Sequence, residues 1–133
     1  MRRRIVIHCL AHARAALGAA ANAGVGVTLE SPAAAAGYQG IGWWRELLAL
    51  ATGEFPALDF DAVLDCGAAP GHALAALRGG IKAVRLRGDH LPPLADIAAA
   101  LGGTLLGPAA GNEALDLLDI ADIDAACRTW LER

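Results

Sequence analysis

Lysine is almost absent from this chain of 133 residues: Lys82 stands alone. With 11 basic against 14 acidic residues the net charge is −3. The clustered cationic surface that drives phosphate-backbone binding is missing, and no nucleic-acid partner is expected. Arg2, Arg3 and Arg4 form the one basic run, and a terminal trio ahead of an apolar segment reads as a solvated tail. Aromatic residues are also scarce at 5%, with two Phe against 32 Ala, so the core must be built from small side chains and closely approaching elements. No apolar run reaches the ~20 residues that span a bilayer, because His, Asp, Arg or Gly interrupts each one. No membrane association is expected. Arg2-Arg3-Arg4 followed by Ile5-Val6-Ile7 has the look of a signal-peptide start, but His8, His12 and Arg14 break its apolar stretch and the segment reads as mature protein. The three cysteines, Cys9, Cys66 and Cys127, lie too far apart for a disulfide framework, which places the protein in a reducing cytoplasm.

What is present is hydrophobic material: 56% of the residues, against 19% charged, in a length suited to one domain spanning 1–133. Short apolar runs alternate with Ala-rich stretches of helical length, the pattern of parallel strands joined by crossover helices. Strands are expected at Ile5–Cys9, Val25–Leu29, Ala62–Cys66, Ile81–Leu86 and Thr104–Leu106. The first helix carries Leu10, Ala13, Leu17 and Ala21 at core spacing and stops at Asn22-Ala23-Gly24, where Gly takes a left-handed cap. Another opens at Pro70 and closes at Gly79-Gly80. A third begins at Pro92-Pro93, buries Leu94, Ile97 and Leu101, and ends at Gly102-Gly103. A terminal helix from about Asp122 aligns Ile123, Ala126, Cys127, Trp130 and Leu131 on one face. The step from the second strand to the third is long, 37 positions (25 to 62) against 20, 19 and 23 for the others (5 to 25, 62 to 81, 81 to 104). Its surplus holds Gly37-Tyr38-Gln39-Gly40-Ile41-Gly42, either a lid or a loose connection, and a helix over about Trp43–Thr52.

The expected fold is therefore α/β: one domain with a parallel sheet of four or five strands, helices on both faces, and the flavodoxin-like order 2-1-3-4-5. The alternative is a partial βα barrel that completes its core by association. Residues 5–52 and 62–106 also carry the mark of an internal βαβα repeat. Ile5-Val6-Ile7-His8-Cys9 matches Ala62-Val63-Leu64-Asp65-Cys66, and the run from His12 to Leu17 matches that from His72 to Leu77.

Ligands of open parallel sheets sit beyond the carboxyl ends of strands where the order reverses, which for 2-1-3-4-5 lies between strands one and three. That crevice would gather His8, Cys9 and His12 with Asp65, Cys66 and His72, and Glu30, Arg87, Asp89 and His90 fall on the same side. Cys9, Cys66, His12 and His72 could supply zinc ligands, but their Cys-x2-His and Cys-x5-His spacings match no strong signature and no metal is expected. Cys66 with His12 or His72 could form a nucleophile and its base if the following helix made the thiol acidic. Lys82, at a strand start, lies at the wrong end for Schiff-base chemistry.

Val63-Leu64-Asp65-Cys66-Gly67-Ala68-Ala69-Pro70-Gly71 resembles the first motif of Rossmann-type S-adenosylmethionine-dependent methyltransferases, where an acidic residue and a Gly-rich turn lead from strand to helix beside the cofactor. The resemblance covers nine residues and implies a methyl-transfer site at this turn. Two βα units precede the motif here, and the next strand ends in Arg85-Leu86-Arg87 where the family has a ribose-binding acid, with Asp89 two positions late. A convergent turn is the reading these departures favour. The expected function is a small-molecule site, for a polar or anionic metabolite, at the ends of strands one and three, with His8, Asp65, Gly67, Gly71, His72 and Arg87 as its wall and no cofactor assigned. The other reading is a non-catalytic interaction module, a homo-oligomer held through Trp43, Trp44 and the terminal helix. Only one of two adjacent Trp residues on a helix can face the core, and aromatic side chains are enriched at interfaces.

Overall fold

The computed structural model describes residues 2–89, 91–109 and 113–133. Among them the chain is α/β, with strands β1 (Arg3–Val6), β2 (Val27–Glu30), β3 (Asp61–Asp65), β4 (Ala83–Arg85), β5 (Thr104–Leu106) and β6 (Ala114–Asp116). Its helices are α1 (Leu10–Ala23), α2 (Ala35–Tyr38), α3 (Ile41–Glu54), α4 (Pro70–Arg78), α5 (Leu91–Ala100) and α6 (Ile123–Leu131). The strand pairs are parallel. The chain divides into two compact units. Unit 1 comprises Met1–Glu30, Glu46–Ala62 and Glu113–Arg133, and unit 2 comprises Ser31–Arg45 and Val63–Asn112.

In unit 1, β1 is paired on one edge with β2 and on the other with β6. Ile5 aligns with Leu29 and Leu115, and Val6 with Glu30 and Asp116. Because side chains alternate along a strand, Arg3, Ile5 and Ile7 share one face and Arg4, Val6 and Asp116 the other. The first face is covered by helices. The Arg3 guanidinium lies over the Trp130 ring of α6 at 5.0 Å, and Trp130 Nε1 donates to the Arg4 carbonyl at 3.1 Å. α1 packs along α6 and also touches β2. The resulting core is Ile5, Ile7, Ala13, Ala16, Leu17, Ala20, Val27, Leu29, Leu117 and Cys127, all fully buried. Ala13, Ala16 and Ala20, at helical spacing, form a smooth strip that lets neighbouring elements approach closely.

Two expectations are corrected here. The order 2-1-3-4-5 requires β3 beside β1, yet both edges of β1 are taken, by β2 and by β6. No strand is expected at Ala114–Asp116 from the apolar runs, and that strand occupies the expected place of β3. The basic run is not a solvated tail either. Arg4 donates from Nε and Nη2 to the two carboxylate oxygens of Glu30, the second bond measuring 3.1 Å, and Arg2 bridges Asp59 and Asp61. These partners draw Arg3 and Arg4 into β1, which starts two residues earlier than the apolar run Ile5-Val6-Ile7 suggests.

In unit 2, β4 lies between β3 and β5, with Leu64 aligned to Val84 and Val84 to Leu105. Leu64, Cys66, Val84 and Leu86 are buried with Ala73 and Ala76 of α4 and Ala98 of α5. Pro70 opens α4 at its first turn and Gly79 caps it, as expected. On α5 the buried pair is Leu94 and Ala98, while Ile97 and Leu101 are 40% and 44% exposed. Leu94 and Ala98, four residues apart, mark the buried side of α5, which packs against β5, and Ile97 and Leu101 lie off it. Gly37 to Gly42 is folded rather than loose: α2 ends at Tyr38, Gly40 adopts a left-handed conformation (φ 95°), and α3 begins at Ile41.

Candidate functional site

The ionisable groups of unit 1 meet at the carboxyl ends of β1 and β6. β1 runs out through Ile7, whose N–H donates to the Glu30 carbonyl, and β6 runs out through Leu117, whose N–H donates to the Val6 carbonyl. His8, two residues beyond Val6, therefore emerges beside Asp116, the partner of Val6 in the ladder. His8 Nε2 donates to Asp116 Oδ1 at 2.7 Å, and the same oxygen accepts the Leu118 N–H at 2.9 Å. His12 stands in the first turn of α1, and its Nδ1 accepts the His8 N–H at 3.0 Å. The two imidazoles meet edge to face, with centroids 5.7 Å apart. The backbone bond fixes the His12 tautomer, because a nitrogen that accepts carries no proton and the ring proton must sit on Nε2.

Electrostatics follow from this packing. Burial and the neighbouring His8 both disfavour the His12 imidazolium and lower its pKa, against a smaller opposing pull from Asp116. Burial works to raise Asp116, but the Leu118 N–H and the two histidines outweigh it and its carboxyl lies below the ordinary range. Cys9, the residue between His8 and α1, is exposed and gives the helix no side-chain cap, and no acidic residue follows in the first turn. Glu30 is 6% exposed and engaged with Arg4, so it belongs to a structural ion pair.

The residues of unit 2 form a tied turn. The Asp65 N–H donates to Ser31 Oγ at 2.8 Å, while Asp65 Oδ1 accepts the N–H groups of Ala34 at 3.0 Å and Gly67 at 2.8 Å. Gly67 needs its hydrogen side chain: its φ is +61° and a Cβ there would meet the Ala34 Cβ at 3.0 Å. The Gly67 carbonyl accepts the Arg87 N–H at 2.9 Å, and the Arg87 side chain is exposed. Gly71 faces open space at an ordinary φ. His72 is exposed on α4 with its ring against Gly37, where a Cβ would stand 3.0 Å from His72 Cε1.

Of the expected wall, His8 thus falls in unit 1, and Asp65, Gly67, Gly71, His72 and Arg87 fall in unit 2. Glu30 is in unit 1 and Asp89 in unit 2, and His90 lies outside the described residues. Cys9 and His12 belong to unit 1 and Cys66 and His72 to unit 2, and among the described residues no group of three or more His, Cys, Asp or Glu is arranged to hold a metal ion. The Cys66 thiol is 2% exposed, and burial, aided by Asp65, pushes it up to about 12, the reverse of what a nucleophile needs. Trp44 is fully buried, Trp43 is half-buried, and α6 is engaged with α1.

Asp116 is the residue that sequence reasoning missed. The signal was a three-residue apolar-acidic run, Ala114-Leu115-Asp116, too short to show a period. Neither a scan against protein families nor a search of curated proteins finds a match to this chain.

Proposed function

We propose that unit 1 binds a small polar or anionic metabolite at the carboxyl ends of β1 and β6, with His8, His12 and Asp116 as its polar contacts. The observation that carries this reading is the convergence of three ionisable side chains at the exits of β1 and β6 and the first turn of α1, with His8 Nε2 bonded to Asp116 at 2.7 Å and the His8 backbone N–H to His12 at 3.0 Å, where parallel strands release their chains. Strand exits are where open parallel sheets present ligands, because the loops there are free to vary while the strands hold them in register. A structural explanation alone would favour apolar residues at His8 and His12, since each half-buried imidazole carries a desolvation cost. The Asp65 turn supports a different role: with Oδ1 accepting two backbone N–H groups, Asp65 and Gly67 fold the segment that joins β3 to α4.

Thermal denaturation with inorganic phosphate, phosphorylated sugars and small carboxylic acids tests the reading. A ligand at about 100 times its Kd adds about 2.7 kcal/mol to the stability of the folded form, a rise of several degrees. At least one compound should raise the Tm of the wild type, and Asp116→Asn should reduce that rise. If no compound acts, or if the rise is equal in both proteins, the site is not there.

A further inference from the structure

Among the described residues, two ring nitrogens at this site are left without a partner. His8 commits Nε2 to Asp116 and His12 commits Nδ1 to the His8 N–H, and among the described residues neither His8 Nδ1 nor His12 Nε2 has a hydrogen-bond partner. Both rings are partly exposed. With its proton directed at Asp116, His8 offers a lone pair at Nδ1, and with its Nδ1 blocked by a backbone donor, His12 offers a proton at Nε2. One ring is a base and the other a donor, their planes at 84° and their centroids 5.7 Å apart. The remaining charges on these elements are committed elsewhere, Arg3 to the Trp130 ring and the Arg133 carbonyl, Arg4 to Glu30 and Arg14 to Glu54.

Building on the binding site proposed above, we propose that this pair transfers protons on a bound carbonyl compound that carries hydrogen on the carbon next to the carbonyl. His8 Nδ1 takes that proton, the C–H electron pair becomes the new C=C bond, and the carbonyl pair moves onto oxygen, where His12 Nε2–H holds the enolate. Return of the proton from His8 to the α-carbon re-forms the carbonyl as the electron pair on oxygen moves back, which completes an exchange cycle with no oxidant or reductant. Asp116 is a positioning residue: it fixes the His8 tautomer and orientation and steadies the imidazolium that forms, as a carboxylate does for any histidine base. Staying neutral, His12 donates a hydrogen bond without surrendering its proton before the enolate forms.

The test uses the whole chain in D2O with two probes, dihydroxyacetone phosphate and pyruvate. Saturation-transfer NMR reports binding, and loss of the α-proton signals reports exchange. For at least one probe the wild type should exchange α-protons faster than buffer, His8→Gln should lower the rate about 100-fold, and Asp116→Asn should lower it and alter its pH profile. Asp116→Asn keeps an oxygen acceptor for the Leu118 N–H, so it carries the test should His8→Gln fail to fold. Binding without exchange, or exchange unchanged in the His8 and Asp116 variants, overturns the proton-transfer proposal and leaves the binding site standing. Absence of binding by both probes overturns the proposal at its substrate class, while the wider panel of anions decides the site itself.

Discussion

The three cysteines have the same chemistry and three different surroundings. Cys9 is exposed between His8 and α1, while Cys66 and Cys127 are buried, with thiols pushed up to about 12 and about 11 by loss of solvent and, less strongly, by Asp65 and Asp124. At pH 8 a thiol titrating near 12 is ionised in only about one molecule in ten thousand, and the thiolate is the reactive form. Native protein treated with iodoacetamide should therefore gain a single adduct, at Cys9, with Cys66 and Cys127 labelled only after denaturation. Rapid labelling of Cys66 in the native state would contradict the packing of unit 2. His12 gives a prediction of the opposite sign on the pH axis. Its folded pKa is lowered from 6.5, so as the pH falls the unfolded chain takes up this proton first, and the stability that neutral His12 supports is full above about 6.5 and declines below it. Asp116, also lowered, contributes above 3.8 and loses its contribution at more acid pH, a separate window. The stability difference between wild type and His12→Gln, measured by urea denaturation, should shift against the wild type between pH 7 and pH 5. A difference independent of pH would show that His12 titrates alike in both states.

Among the elements, helices were more legible than strands because their ends are written in single residues. Gly24 donates to Ala20 and Ala21 from a left-handed conformation (φ 68°), as the Asn22-Ala23-Gly24 stop implies, and Pro70 sits in the first turn of α4. Asp122 caps α6 by accepting the Ala125 N–H at 3.0 Å. Asp122→Ala should cost about 1 kcal/mol by urea denaturation, and an unchanged midpoint would remove the cap from the account. The strands were placed from apolar runs alone, and their true limits depend on partners that lie far along the chain: Arg4 enters β1 through Glu30, 26 residues later. The turn after β3 shows how two glycines of one motif differ. Gly67→Ala forces a left-handed conformation on alanine and presses its methyl on Ala34, a cost of about 1–2 kcal/mol. Gly71→Ala meets open space at a helical position and should stabilise by up to about 1 kcal/mol. Equal effects at the two positions would contradict the turn geometry described for unit 2.

For the molecule as a whole, composition and periodicity were enough for the α/β class and the parallel strands but not for strand order. Order is set by which strand captures each edge of β1, and three residues, Ala114 to Asp116, capture one of them. Those same residues supply the third member of the candidate site, so the error in topology and the omission of Asp116 have a single cause: a strand too short to leave a periodic signal. His8 was legible because an imidazole at the end of an apolar strand stands out, and Asp65 was legible as a motif residue, although its bonds to Ala34 and Gly67 make it part of the turn. The bonded arrangement of His8, His12 and Asp116 underlies both the site and its chemistry, and long-range 1H–15N NMR of the imidazole rings at pH 7.5 tests it most directly. His12 should show an unprotonated Nδ1 and a protonated Nε2, His8 a protonated Nε2, and Asp116→Asn should perturb the His8 ring while His12 keeps its tautomer. A proton on His12 Nδ1, or His8 resonances indifferent to Asp116→Asn, would contradict it.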